Sequence, residues 1–244
     1  MTSPRPLVTA LSVLAAALLF TGCTVGPGPT SPQATSNPSS GPGDGSADLD
    51  GDMEGALLDD GRMFAIVTFG SSTCVPQVDT VTADGQTVDV TLVDVEGDQA
   101  CTADMAPRAT VGALPEGVDP SQDITLQVVY GDFIDDIDLT GGSFAGVPGQ
   151  QTEYLPSAGW YDDRGLVLLT WGSSGCPPVI ESIEGEGSAG TVTFETDDEK
   201  VCTLDMAPRA TVIDFDGEVS DDEEFVLTLV GGGLDGTVTV PAQN

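Results

Sequence analysis

The chain contains the same segment twice, and this feature constrains its fold more than any other. The sequence GSSTC at 70–74 returns as GSSGC at 172–176, and CTADMAPRATV at 101–111 returns as CTLDMAPRATV at 202–212. The second pair of segments differs only where Ala103 is replaced by Leu204. A repeat offset of 102 and 101 residues in a chain of 244 predicts two homologous domains in tandem.

Four of the five cysteines occupy matched positions in the two units, at Cys74, Cys101, Cys176 and Cys202. Four cysteines allow three pairings. Duplication favours the pairing inside each unit, Cys74 with Cys101 and Cys176 with Cys202. Closing a loop of this length stabilises a domain by roughly 3 kcal/mol in the chain-entropy model. Disulfides form in oxidising compartments, so the sequence predicts an exported protein.

The N-terminal segment 1–22 has the pattern of an export signal. Arg5 precedes an apolar stretch at 7–20, which is shorter than the ~20 residues of a membrane-spanning helix. The stretch ends in Thr21-Gly22-Cys23, and here the chain resembles a bacterial lipoprotein precursor. The resemblance implies that Cys23 is acylated, with palmitate among the fatty acids, and becomes the new N-terminus on the extracytoplasmic face of the cell membrane. An ordinary secretory signal peptide with an incidental cysteine is the alternative.

Composition divides the rest of the chain into segments. Residues 23–56 are rich in Pro, Gly, Ser and Asp and show no apolar period, which predicts a disordered tether after the acylated cysteine. Repeat 1 is predicted at 57–140, a linker at 141–159 and repeat 2 at 160–244.

Both repeats show dense strand signals and almost no helix signals. The dipeptide at 84–85 is Asp-Gly, which favours a tight hairpin turn between strands. About six short strands per repeat predict an all-β fold of two antiparallel, immunoglobulin-like β-sandwiches. The predicted strands are 63–69, 80–83, 87–95, 108–114, 124–130 and 137–139 in repeat 1, and 166–171, 179–183, 191–196, 210–215, 225–230 and 237–240 in repeat 2.

Charge and composition exclude several classes of function. A formal net charge of −34 disfavours binding to nucleic acid and favours a monomer, with a cationic or protein partner in the cell envelope. The chain has no histidine, which removes most of the familiar catalytic schemes and His-ligated metal sites. The sequence therefore predicts no catalytic residues, no metal site and no cofactor, although a divalent cation in the acidic loops stays an alternative.

The repeated motif CTxDMAPRATV contains the candidate binding residues. Each arginine follows an aspartate by four positions, at Asp104 and Arg108 and again at Asp205 and Arg209. One interpretation is a local ion pair that orders the loop, with the methionines at 105 and 206 filling the core. The alternative is an arginine that projects outward as an anion hook. The serines of GSSTC and GSSGC are expected in a turn after a strand, because no activating histidine is present.

These features favour a lipid-anchored, non-enzymatic binding or structural module of the cell envelope. An inhibitor or accessory factor of a secreted enzyme is the alternative, and an exposed apolar loop between the paired cysteines would favour it. A carboxylate-based envelope hydrolase is a third hypothesis, which would require a deep cleft with two carboxylates.

Overall fold

The computed structural model describes residues 52–95, 97, 100–197 and 199–243. The predicted signal peptide, Cys23 and the tether up to residue 51 lie outside this part of the chain. The described residues form an all-β fold without an α-helix, and none of their helical segments is long and apolar enough to cross a membrane. The strands of repeat 1 are β1 (Glu54–Leu58), β2 (Met63–Gly70), β3 (Gln77–Asp84), β4 (Thr87–Val93), β5 (Ala106–Ala113), β6 (Ile124–Tyr130) and β7 (Phe133–Leu139). Those of repeat 2 are β8 (Ser157–Asp162), β9 (Gly165–Gly172), β10 (Ile180–Glu186), β11 (Ala189–Phe194), β12 (Ala207–Asp214), β13 (Phe225–Gly231) and β14 (Gly236–Val240).

Each repeat consists of a three-stranded and a four-stranded sheet. The strand orders are β1-β2-β5 and β3-β4-β6-β7 in repeat 1, and β8-β9-β12 and β10-β11-β13-β14 in repeat 2. The two sheets of a repeat enclose an apolar core. In repeat 1 Phe64 of β2 packs in one cluster with Val88 of β4 and Leu126 of β6. In repeat 2 Leu166 and Leu227 occupy the corresponding cluster.

The four-stranded sheets are mixed, and the prediction of purely antiparallel sheets is wrong for one pair of strands in each repeat. Strands β4 and β6 are parallel, as are β11 and β13. The reason is the path of the chain: after β4 it crosses to the other sheet as β5 and returns as β6 beside β4. Such a crossover connection is what a parallel pair requires.

Two strands were not anticipated from the sequence. Strand β1 begins at Glu54, inside the segment assigned to the tether, and β8 begins at Ser157, inside the predicted linker. Both are short and contain small residues, so they lack the apolar alternation that marks a strand. By contrast, the Asp-Gly dipeptide does form the turn between β3 and β4, with Gly85 at φ 66°.

The two repeats pack against each other through a third apolar cluster. Ala65 and Val67 of β2 share this cluster with Val167 and Leu169 of β9. Strands β2 and β9 are therefore buried on both faces, which explains their continuous apolar sequences MFAIV and LVLL. The three-stranded sheets form the inner layers of the described body, and the four-stranded sheets form its outer layers.

Strands β1 and β8 run in opposite directions across this contact. The backbone N–H of Asp59 donates to Ser157 Oγ at 2.8 Å, while the Leu57 carbonyl oxygen lies against Gly159. In β2, the end at Gly70 lies beside the start of β1, because Glu54 pairs with Val67. The segments that follow β2 and β9, which contain the paired cysteines, consequently lie at opposite ends of the molecule.

Candidate functional site

The repeated motifs meet in one corner per repeat. We define corner 1 as residues 70–74 with 100–105, and corner 2 as residues 172–176 with 201–206. Disulfides join Cys74 to Cys101 and Cys176 to Cys202, with the Cα atoms 5.5 Å apart in each pair. These bonds agree with the pairing that duplication predicts.

Hydrogen bonds hold the two segments of corner 1 together beside the disulfide. The carboxylate of Asp104 accepts the backbone N–H of Ser72 at 3.3 Å, and Thr102 Oγ1 also donates to it. The backbone N–H of Thr102 donates to Thr73 Oγ1 at 3.1 Å, and the hydroxyls of Ser71 and Thr102 are 2.9 Å apart. The serines thus take part in a turn, as the sequence analysis expected.

Corner 2 repeats this arrangement. Asp205 accepts the backbone N–H of Ser174 and the hydroxyl of Thr203, and the backbone N–H of Gly175 donates to Thr203 Oγ1 at 3.2 Å. The threonine hydroxyls, followed by the serine contacts, lower the pKa of Asp104 and of Asp205 to about 2. Both carboxylates therefore stay charged well below neutral pH and keep accepting these bonds.

The predicted ion pairs within the motif are not formed. The one salt bridge within the described ranges joins Arg62 to Asp59 at 3.4 Å. Arg108 instead donates from Nη1 to the carbonyl oxygens of Ser71, at 3.2 Å, and of Cys74. The physical reason is that the Asp104 carboxylate is already bound to the loop at 70–74.

Arg209 behaves in the same way. It donates from Nη1 to the carbonyl oxygen of Cys176 and from Nη2 to that of Trp171, both at 3.0 Å. Burial lowers its pKa from the usual value for arginine. The anion-hook alternative is also incorrect, because both guanidinium groups are partly buried and bound to backbone carbonyls rather than projecting into solvent.

The position of the arginine explains why glycine opens GSSTC and GSSGC. A Cβ atom at Gly70 would lie 2.7 Å from Cζ of Arg108, and one at Gly172 would lie 2.8 Å from Cζ of Arg209. The two repeated motifs are therefore one packing unit: glycine leaves the space that the guanidinium occupies.

The surroundings of the arginine differ between the corners. In corner 1, Nε of Arg108 donates to Thr68 Oγ1 at 3.2 Å, and Nη2 donates to the hydroxyl of Tyr130 at 3.4 Å. The Tyr130 hydroxyl in turn donates to the carboxylate of Asp94.

Corner 2 lacks the tyrosine, because Gly231 ends β13 at the position where Tyr130 ends β6. Nε of Arg209 is buried and has no hydrogen-bond partner.

The methionines of the motif do not fill the core, contrary to the prediction. Met105 is 73% exposed and Met206 is 62% exposed. Each directly follows the aspartate that binds back to the loop and precedes the first residue of β5 or β12, outside both sheets. Val201 and Leu204 on corner 2 are almost completely exposed. Sequence reasoning missed this apolar surface because methionine and leucine are ordinarily read as core residues.

Outside the corners, the described residues also line several cavities. A cavity of about 320 Å³ lies at the junction of the repeats, lined by Leu57, Phe144, Trp160, Glu224 and Gln243 among others. Within the described ranges, no cluster of three or more His, Cys, Asp or Glu side chains is arranged to hold a metal ion.

Comparisons with family models, with curated proteins and with solved structures found no match to this chain.

Proposed function

We propose that this protein is a lipid-anchored, non-enzymatic binding module on the extracytoplasmic face of the cell membrane. The observation that supports this most is the exposure of Val201, Leu204 and Met206 on a loop that a disulfide and several hydrogen bonds hold in place. Exposed apolar groups that cluster on a soluble protein are typical of an interaction surface. A loop that is already ordered loses little conformational entropy on binding.

Each repeat is, in this proposal, a β-sandwich that arose by duplication. Two sheets around one core support that description, and the closely similar corners support the duplication. The parallel pair in each four-stranded sheet departs from the antiparallel sheets expected of an immunoglobulin-like sandwich.

A second candidate is an inhibitor or accessory factor of a secreted enzyme. The position of Val201 favours it, because this exposed residue lies between the paired cysteines of repeat 2 and next to Cys202. Such a protein would insert the loop into a groove of its target. Both candidates use the exposed loop of corner 2 as the contact surface and need no catalytic residue.

Replacement of the proposed acylation site tests the anchor. Cys23→Ala is expected to move the protein from the membrane fraction to the soluble exported fraction, because it removes the thiol that would be acylated. Thr24→Ala, which leaves that thiol in place, is the control and should remain with the membrane. Fractionation followed by immunoblotting gives the answer, and membrane association that survives Cys23→Ala would contradict the anchor.

A further inference from the structure

The two corners share a backbone arrangement but differ in the side chains that they expose. Ala100 and Ala103 of corner 1 correspond to Val201 and Leu204 of corner 2, on either side of the matched Cys-Thr pair. All four residues are exposed, and Val201 and Leu204 belong to none of the apolar clusters of the fold. Folding therefore does not explain the larger apolar side chains, which cover no other part of the described protein.

Acidic residues flank this apolar segment in the sequence. Asp197, Glu199 and Asp205 are exposed in the same segment, and Lys200 is the only lysine of the chain. In a protein with a net charge of −34, a complementary surface is basic. A partner of corner 2 would thus combine apolar side chains with lysine or arginine.

Corner 2 also lies at the end of the molecule away from the point where the chain enters. The described chain begins at Asp52, two residues before β1, and that end of β1 lies beside corner 1. Strand β9 then leads toward the opposite end, a distance of roughly 25 Å for eight extended residues. Corner 2 therefore lies at the end of the described body away from Asp52.

We propose that corner 2 is the partner-binding end of this protein and that its partner is a basic protein surface carrying apolar side chains. Val201, Leu204 and Met206 supply the apolar contact, and the flanking carboxylates orient the basic partner. Corner 1 has the same backbone arrangement but carries alanines at 100 and 103. Its role is to hold together the two segments that the disulfide of repeat 1 joins. The proposal deepens the proposed binding function, but it does not depend on acylation of Cys23.

A synthetic amphipathic peptide of lysine and leucine is a suitable probe for this chemistry. Its binding to the full chain carrying Cys23→Ala can be measured by calorimetry and mapped by NMR. We expect the shifted resonances to concentrate on corner 2. The combined variant Val201→Ser, Leu204→Ser and Met206→Ser should weaken binding about tenfold or more, since apolar contacts dominate binding energy at such surfaces.

The opposite end of the molecule offers a matched control. Met105, Phe133 and Ile134 are also strongly exposed, and Phe133 pairs with Tyr130, which contacts Arg108 at corner 1. Changing these three residues to serine removes a similar apolar area and should leave the affinity unchanged. Both triple variants should keep the wild-type melting temperature, because the side chains they change are exposed.

Three results would overturn the proposal. These are an equal loss of affinity in both triple variants, no loss in the corner 2 variant, and equally tight binding of a lysine-serine peptide of the same length. Equally tight binding of the lysine-serine peptide would show that charge alone attracts the probe to the protein. Fractionation of Cys23→Ala reports separately on the anchor, so failure of the anchor and failure of the binding site can be told apart.

Discussion

Gly70 and Arg108 show how residues far apart in sequence depend on each other. The guanidinium lies against the Cα of the glycine and donates to carbonyl oxygens of the adjoining loop. Both residues lie in repeated motifs, so the sequence singled them out, but it did not show that they contact each other. Backbone carbonyls occur at every residue and have no signature in the sequence, whereas a nearby aspartate suggests an ion pair that the structure does not contain.

A substitution at Gly70 tests this packing. Gly70→Ala is expected to destabilise the protein by roughly 1–3 kcal/mol, because the new Cβ displaces the guanidinium from its acceptors. Urea denaturation would measure the change. Combining Gly70→Ala with Arg108→Ala should cost less than the sum of the single changes, since the clash is already removed.

Gly236→Ala is the matched control, because a Cβ there has only one neighbour within 4 Å, at 3.8 Å. It should have little effect. Strict additivity of the Gly70 and Arg108 variants would contradict the assignment of these residues to one packing unit.

At the scale of elements, the hairpin between β1 and β2 connects the repeats. Asp59 and Asp60 adopt left-handed backbone conformations, with φ of 50° and 54°. Asp59 is 4% exposed, and its carboxylate contacts Arg62 and Thr152. The Asp60 side chain accepts the backbone N–H of Ala145. One turn thus binds residues of the predicted linker at 141–159.

Asp59 should make stability depend on pH. Burial, the largest influence, raises its pKa above the ordinary 3.8, and one buried carboxylate oxygen has no hydrogen-bond partner. The pKa of Asp59 is thus higher in the folded than in the unfolded protein. Its favourable contribution to the free energy of unfolding is complete below pH 3.8, the unfolded-state pKa, and is lost as pH rises through the folded-state pKa.

Asp59→Asn is therefore expected to raise the melting temperature at neutral pH, since asparagine is uncharged and accepts the left-handed conformation. In thermal melts at a series of pH values, this increase in melting temperature should disappear below pH 3.8, the unfolded-state pKa of Asp59. Asp89→Asn on the exposed face of β4 is the control. A gain that is independent of pH would show that the charge of Asp59 is not the cause.

At the scale of the whole molecule, the repeats share a core and should unfold as one body. The cluster that joins them contains buried residues from β1, β2, β8 and β9. A Cβ at Gly159 would collide with the backbone carbonyl of Leu57, which cannot move aside as a flexible side chain can.

The wild-type protein is expected to show a single calorimetric transition. Gly159→Val should lower the melting temperature and divide the transition in two, because it separates β8 from β1. Gly236→Val, on the more open strand β14, should keep one transition. Two transitions in the wild-type protein would contradict a shared core.

The sequence alone determined the two-fold repetition, the all-β class, the expected disulfide pairing and the Asp-Gly hairpin. These follow from spacing, alternation and local turn chemistry, which act over a few residues or are copied with the repeat. Tertiary contacts determine the parallel strand pairs, the strands β1 and β8, the partners of the arginines and the exposure of the methionines. Each of these depends on which distant backbone or apolar surface a residue meets, and that information is absent from local patterns.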